Sequence, residues 1–137
     1  NKIYHRRTAA DAAFNLFVPI LVPSNSVAQK GAYLQSIDVF YNLTTAAADD
    51  FATVELNKQT LSSTGAHTAA AVTTSIDTGH DTAAERKATG EHKMTVTLST
   101  PAWVDNDEAY VLYMVVDESA TGVFDLVGAR ANFTLRV

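Results

Sequence analysis

Apolar and polar residues alternate with a period of two through most of this chain. In residues 91–100, His92, Met94, Val96 and Leu98 fall on one side, and Lys93, Thr95, Thr97 and Ser99 on the other. That is the pattern of a half-buried antiparallel strand. Residues 129–137 repeat it, with Ala131, Phe133, Leu135 and Val137 inward and Arg130, Asn132, Thr134 and Arg136 outward. Residues 33–43 alternate through Tyr33, Ile37, Val39, Tyr41 and Leu43, leaving Leu34 and Phe40 for the opposite face. Residues 108–117 differ: Tyr110, Leu112, Met114 and Val116 face one way, and Val111, Tyr113 and Val115 the other. A strand with two apolar faces needs cover on both.

Weaker strand patterns occupy residues 51–61 (Val54, Leu56), 70–77 (Val72, Thr74, Ile76) and 122–127. Residues 14–22 are apolar but interrupted by Pro19 and stopped by Pro23, which suits a sheet edge or a subunit boundary. Turn-forming clusters separate these pieces at residues 23–26, 62–65, 105–107 and 119–122. One short helix is predicted where Thr82-Ala83-Ala84-Glu85 forms a capping-box pattern, with Gly90 to stop the turn. About eight strands at regular spacing predict an all-β fold, an antiparallel β-sandwich of jelly-roll type over residues 24–137. Residues 1–23 are expected to be an extended N-terminal arm.

The chain has 137 residues, enough for one domain with its own core, and no cysteine, which excludes disulfides and thiolate metal sites. No apolar run approaches the roughly 20 residues of a membrane-spanning helix, and no membrane partner is expected. Residue 1 is asparagine and no signal-peptide pattern precedes it, so processing upstream is expected. The net charge of −5 is uneven. Lys2, Arg6 and Arg7 put three positive charges in the first ten residues, which leaves −8 on the rest. An acidic body argues against nucleic acid as a partner. The basic arm suits docking onto an acidic neighbour, including another copy of the chain.

Candidate chemistry is sparse. Asp77, His80, Asp81, Glu85, Glu91 and His92 crowd one stretch, and imidazole with carboxylate suits Zn²⁺ or Mn²⁺. Their spacing matches no metal motif, and the expected role is a polar loop held by its own hydrogen bonds and an Arg86 ion pair. Residues 105–108 lack the glycine and distal glutamate of a calcium loop and read as a hairpin turn. Trp103, with Tyr110 or Tyr113, could stack on a sugar ring, against the alternative of a ring capping the core. No nucleophile elbow, zinc-protease helix or phosphate loop occurs. No catalytic residue, metal or cofactor is therefore expected. Asn42-Leu43-Thr44 and Asn132-Phe133-Thr134 match the glycosylation pattern, and neither is assigned a role.

The stretches D-T-G-H-D-T-A-A-E-R at 77–86, V-T-L-S-T-P-A-W-V-D-N-D at 96–107 and G-A-R-A-N-F-T-L-R-V at 128–137 resemble uncharacterised β-rich proteins of tailed phages and their environmental relatives. More loosely, residues 31–137 resemble the sandwich domains of phage head-decoration and fibre proteins. The resemblance implies a non-catalytic protein of the virion surface, trimeric, with the major capsid protein or other virion proteins as partners. On that expectation Tyr33, Phe40, Val111, Tyr113 and Val115 form the assembly interface, and Lys2, Arg6 and Arg7 the docking arm. Two alternatives share the fold: a carbohydrate- or receptor-binding module using Trp103, and a filament subunit that donates residues 14–22 as a strand.

Overall fold

A computed structural model describes residues 5–8, 12–26, 29–44, 50–118 and 121–135. The strands are β1 (His5–Thr8), β2 (Ala12–Ile20), β3 (Asn25–Ser26), β4 (Gln29–Lys30), β5 (Ala32–Leu43), β6 (Asp50–Leu61), β7 (His67–Val72), β8 (Thr74–Ile76), β9 (Gly90–Trp103), β10 (Glu108–Glu118) and β11 (Val123–Leu135). The one described helix, α1 (Ala83–Arg86), starts at the predicted capping box: the Thr82 side chain accepts from the Glu85 amide, and the Glu85 carboxylate accepts from the Thr82 amide. The chain leaves this loop at Gly90, whose φ of 129° favours glycine.

Two sheets face each other, in the orders β1-β11-β5-β9-β8 and β2-β10-β6-β7, and β3 and β4 form a small hairpin. All pairings are antiparallel. β1 pairs with β11, β2 with β10, β5 with β9 and β6 with β7, as nested rungs of one long ribbon. Successive rungs fall in alternate sheets, and the β5–β11 and β6–β10 pairings seal the coil. This is jelly-roll connectivity. The expected arm contributes directly: residues 12–20 are β2, an edge strand matched to β10 over its whole length.

Between the sheets lies the core, built from Leu34, Ile37, Val39, Tyr41 and Leu43 on β5, Met94, Val96 and Leu98 on β9, Leu56 on β6, and Tyr110, Leu112, Met114 and Val116 on β10. The inward sets read from alternation on β9 and β10 are buried as expected, with His92 half-buried. On β5 the expectation needs correction. In the ladder with β11 the register shifts between Ser36 and Leu34, with Gln35 as the extra residue, and the β9 ladder shifts at the same place, where β9 carries residues 98–101 opposite Gln35. A bulge reverses which parity faces the core. Leu34 is therefore buried with Ile37, whereas Tyr33 turns outward to the same side as Phe40.

Two other expectations change for similar reasons. Residues 70–77 are not one strand: the chain crosses at Thr73, so β7 belongs to one sheet and β8 to the other. Residues 122–127 and 129–137 merge into β11, across a register shift between Leu126 and Gly128. Leu135, expected inward, is 57% exposed because β11 runs past the packed core; Val137 lies outside the described residues. Leu34→Ala should cost about 2–5 kcal/mol, as should Leu112→Ala, measured by urea denaturation. Strict alternation without the bulge would make the Leu34 change nearly silent.

Candidate functional site

Three places concentrate chemistry: the outer face of each sheet, and the loop that closes one end of the sandwich. On the five-stranded sheet, Asp38 sits mid-strand between Ile37 and Val39 and is 2% exposed. Arg130 donates to its Oδ2 at 2.6 Å, Thr95 Oγ1 donates to Oδ1 at 2.8 Å, and Lys93 Nζ stands 3.5 Å away. Burial alone would raise the Asp38 carboxyl, but hydrogen bonds from Arg130, Thr95 and Asn132 and the Lys93 charge outweigh it and hold it below the ordinary aspartate value. The Arg130 guanidinium lies 5.6 Å over the Phe40 ring, so Phe40 supports the outer side of the ion pair by a cation–π contact.

Beside it, Arg6 grips Asp125 through Nε at 2.7 Å and through its terminal nitrogen at 2.9 Å. This fork is the largest influence on the Asp125 carboxyl; with an Asn42 hydrogen bond it outweighs burial and leaves the group depressed. Arg6, expected to reach for a neighbour, is thus tied to its own sheet. Lys2 lies outside the described residues, and Arg7 is placed only by its backbone register opposite Phe124. Phe40, Tyr41, Asn42, Glu91, His92, Asp125 and Val127 line a hollow of about 280 Å³ on this sheet. Farther along, the Tyr33 ring packs against Trp103 at 4.8 Å, and Trp103 is 41% exposed.

The outer face of the four-stranded sheet is different in kind. Val111, Tyr113 and Val115 are half-buried there with no layer above them among the described residues. Phe17, across from Tyr113 on β2, stacks on its ring at 5.1 Å and is 66% exposed. The Tyr113 hydroxyl donates to Asn15 at 3.0 Å. The five expected interface residues therefore divide: Tyr33 and Phe40 on one outer face, and Val111, Tyr113 and Val115 on the other. Phe17 belongs to the apolar stretch 14–22 that reads as a sheet edge or subunit boundary, but the sequence does not single it out, because that stretch is apolar at almost every position and shows no period.

The loop between β8 and β9 carries the crowded polar residues. Arg86 is buried, but its partners are main-chain carbonyls and not a carboxylate, which corrects the expected ion pair. Nε donates to Phe51 O at 2.7 Å; the two terminal nitrogens donate to His80 O (2.8 Å), Asp81 O (3.0 Å) and Ala52 O (3.4 Å). The Tyr41 hydroxyl donates to Arg86 O at 2.8 Å, and desolvation holds its pKa well above the phenol value. The Tyr41 ring stacks on His92 at 4.7 Å.

A hydrogen-bonded line runs from Asp77 Oδ1 to His80 Nδ1 (2.8 Å), from His80 Nε2 to His92 Nδ1 (3.1 Å), and from His92 Nε2 to Ala88 O (2.7 Å). All four ring nitrogens are thereby engaged by the protein. Asp77 also accepts from the amides of Thr95 (2.6 Å) and Gly79 (3.1 Å). Desolvation opposes its charge, but these bonds and His80 keep its carboxyl depressed. Such a line clasps the loop against the start of β9. Among the described residues no three His, Asp or Glu side chains converge as metal ligands, and no helix is long and apolar enough to cross a membrane.

No protein-family model, curated protein or solved structure matches the chain. Evidence of function therefore lies in the surfaces themselves.

Arg86→Met would leave four carbonyls short of a donor, and we expect a loss of about 2–4 kcal/mol in urea denaturation. Asp38 gives a pH signature. Its folded pKa lies below the unfolded 3.8, so its stabilisation is present above that value and lost as pH falls through the folded pKa. Asp38→Asn should therefore destabilise at pH 7, with the gap to wild type shrinking below about pH 4. Urea midpoints across pH 2–7 check this.

Proposed function

We propose that this chain is a non-catalytic structural protein of a phage particle, a capsid-decoration or fibre component. It acts at the virion surface by assembling with copies of itself, as a trimer, and by docking on the major capsid protein or another virion protein. The observation that carries the reading is the outer face of the four-stranded sheet. Phe17, Val111, Tyr113 and Val115 form a contiguous apolar area on a face that the monomer's core does not use. Exposed apolar patches of this kind mark association surfaces, and interfaces between identical subunits are more apolar than ordinary surface. Jelly rolls serve in capsids and in lectins, and a fold alone does not choose between such roles. The resemblance at residues 77–86, 96–107 and 128–137 favours the particle.

A second reading has its own observation. Trp103, tilted 40° against Tyr33 and substantially exposed, is an aromatic pair of the sort that packs on a sugar face. In that case Trp103 fluorescence shifts during glycan titration.

The deciding measurement is the mass of the purified chain by light scattering. Self-association into a defined oligomer is expected, and a monomer at working concentration overturns the reading. Val115→Asp should disperse that oligomer while shifting the unfolding midpoint little, because Val115 faces outward.

A further inference from the structure

Resting on the self-assembly reading, we infer that the chain assembles head to tail: the outer face of the four-stranded sheet of one copy docks on the outer face of the five-stranded sheet of the next. The two faces lie on opposite sides of one sandwich, and they differ in both shape and charge.

The four-stranded face is a knob. Phe17 stands out from it on the Tyr113 ring, with Leu21, 88% exposed, just beyond the strand end. Its charged side chains are Glu55, opposite Tyr113, and Asp117, and no lysine or arginine stands on it among the described residues. The five-stranded face holds the hollow of about 280 Å³, walled by Phe40 and the half-exposed Val127. An apolar cavity of about 150 Å³ accepts a benzene ring, so a phenyl group fits with room for its neighbours. Around this hollow the solvent-facing charge is cationic. Arg6, Lys93 and Arg130 are exposed, whereas the carboxylates they bind, Asp125 and Asp38, are sunk beneath them. Glu91 is the one exposed acid among the hollow's lining residues.

These properties select the pairing. Two four-stranded faces together would bring Glu55 and Asp117 of both copies into one interface with no cation from either, and two five-stranded faces would bring together their exposed cations. Like charges brought together at an interface disfavour association. Only the mixed pairing sets an acidic rim and an aromatic knob against a cationic rim and an apolar hollow. A contact between two different patches propagates by a fixed rotation, closing into a ring where the rotation allows and otherwise running on as a filament. A ring of three is the closed form that a trimer requires.

The test uses one variant on each face. Phe17→Asp removes the knob, and Val127→Glu places an acid in the hollow; both positions are exposed, and circular dichroism with thermal unfolding verifies folding. Should Val127→Glu misfold, Val127→Gln is read in the same way. Each variant alone should associate at least about 30-fold more weakly than wild type, as loss of a hot-spot contact does. Mixed together they should form a one-to-one dimer by light scattering, because the mixture still offers one intact knob and one intact hollow. A Val127→Glu protein that assembles like wild type, or a mixture that stays monomeric, overturns head-to-tail assembly and leaves self-assembly standing. A monomeric wild type overturns both.

Discussion

At one end of the sandwich a buried guanidinium ties the two sheets together, beside the Tyr41–Phe51–Phe124 ring cluster that packs between them. Arg86 sits at the end of a one-turn helix in the loop between two strands of the five-stranded sheet. Its guanidinium binds carbonyls of that loop and of β6, at the start of the four-stranded sheet. A guanidinium presents five donors in a rigid plane, so it can satisfy several main-chain acceptors that burial would otherwise leave unpaired. Elsewhere along the core the sheets meet through apolar side chains, which set spacing but not alignment. The capping box that begins the helix, the Tyr41 hydroxyl on Arg86 O and the Asp77–His80–His92 line all serve the same placement.

With the inner faces committed to the core, the outer faces are where the sheets diverge. The five-stranded sheet buries two aspartates and covers each with arginine or lysine, so three exposed cations stand over two sunken carboxylates. The outer face of the four-stranded sheet has no such network among the described residues and presents aromatic and branched side chains; its ion pair, Lys58–Glu108, lies on the Tyr110 side. A strand apolar on both faces is stable only when both are covered, and β10 is covered on one. That imbalance within one chain is the physical basis for reading it as a subunit.

The crowded acids and histidines form the expected polar loop held by its own hydrogen bonds, without the expected Arg86 ion pair. By residue type they resemble a metal centre; in the fold, each imidazole nitrogen and each Asp77 oxygen already has a protein partner. Arg86, next to them in sequence, binds instead the buried carbonyl of Phe51 and the nearby carbonyl of Ala52. Asp38 carried no legible signal of burial: between inward Ile37 and Val39 it falls on the outward parity, where an acid ordinarily meets water, and only the fold buries it. Its main partner, Arg130, is 92 residues away and could not be named in advance.

Local periodicity by itself determined the all-β class, the inward faces of β9 and β10, the capped helical turn and the two-sided apolar character of β10. These come from side-chain spacing within a few residues, which backbone geometry imposes on any strand or turn. Tertiary structure decided the rest. The extra residue at Gln35 reversed the face of Tyr33 and Leu34, the crossing at Thr73 divided one apparent strand between two sheets, and the pairing of β2 with β10 drew the N-terminal segment into the sandwich. A bulge, a crossing and a long-range ladder are each set by what the distant strand offers in hydrogen bonds and buried area, and no local pattern carries that.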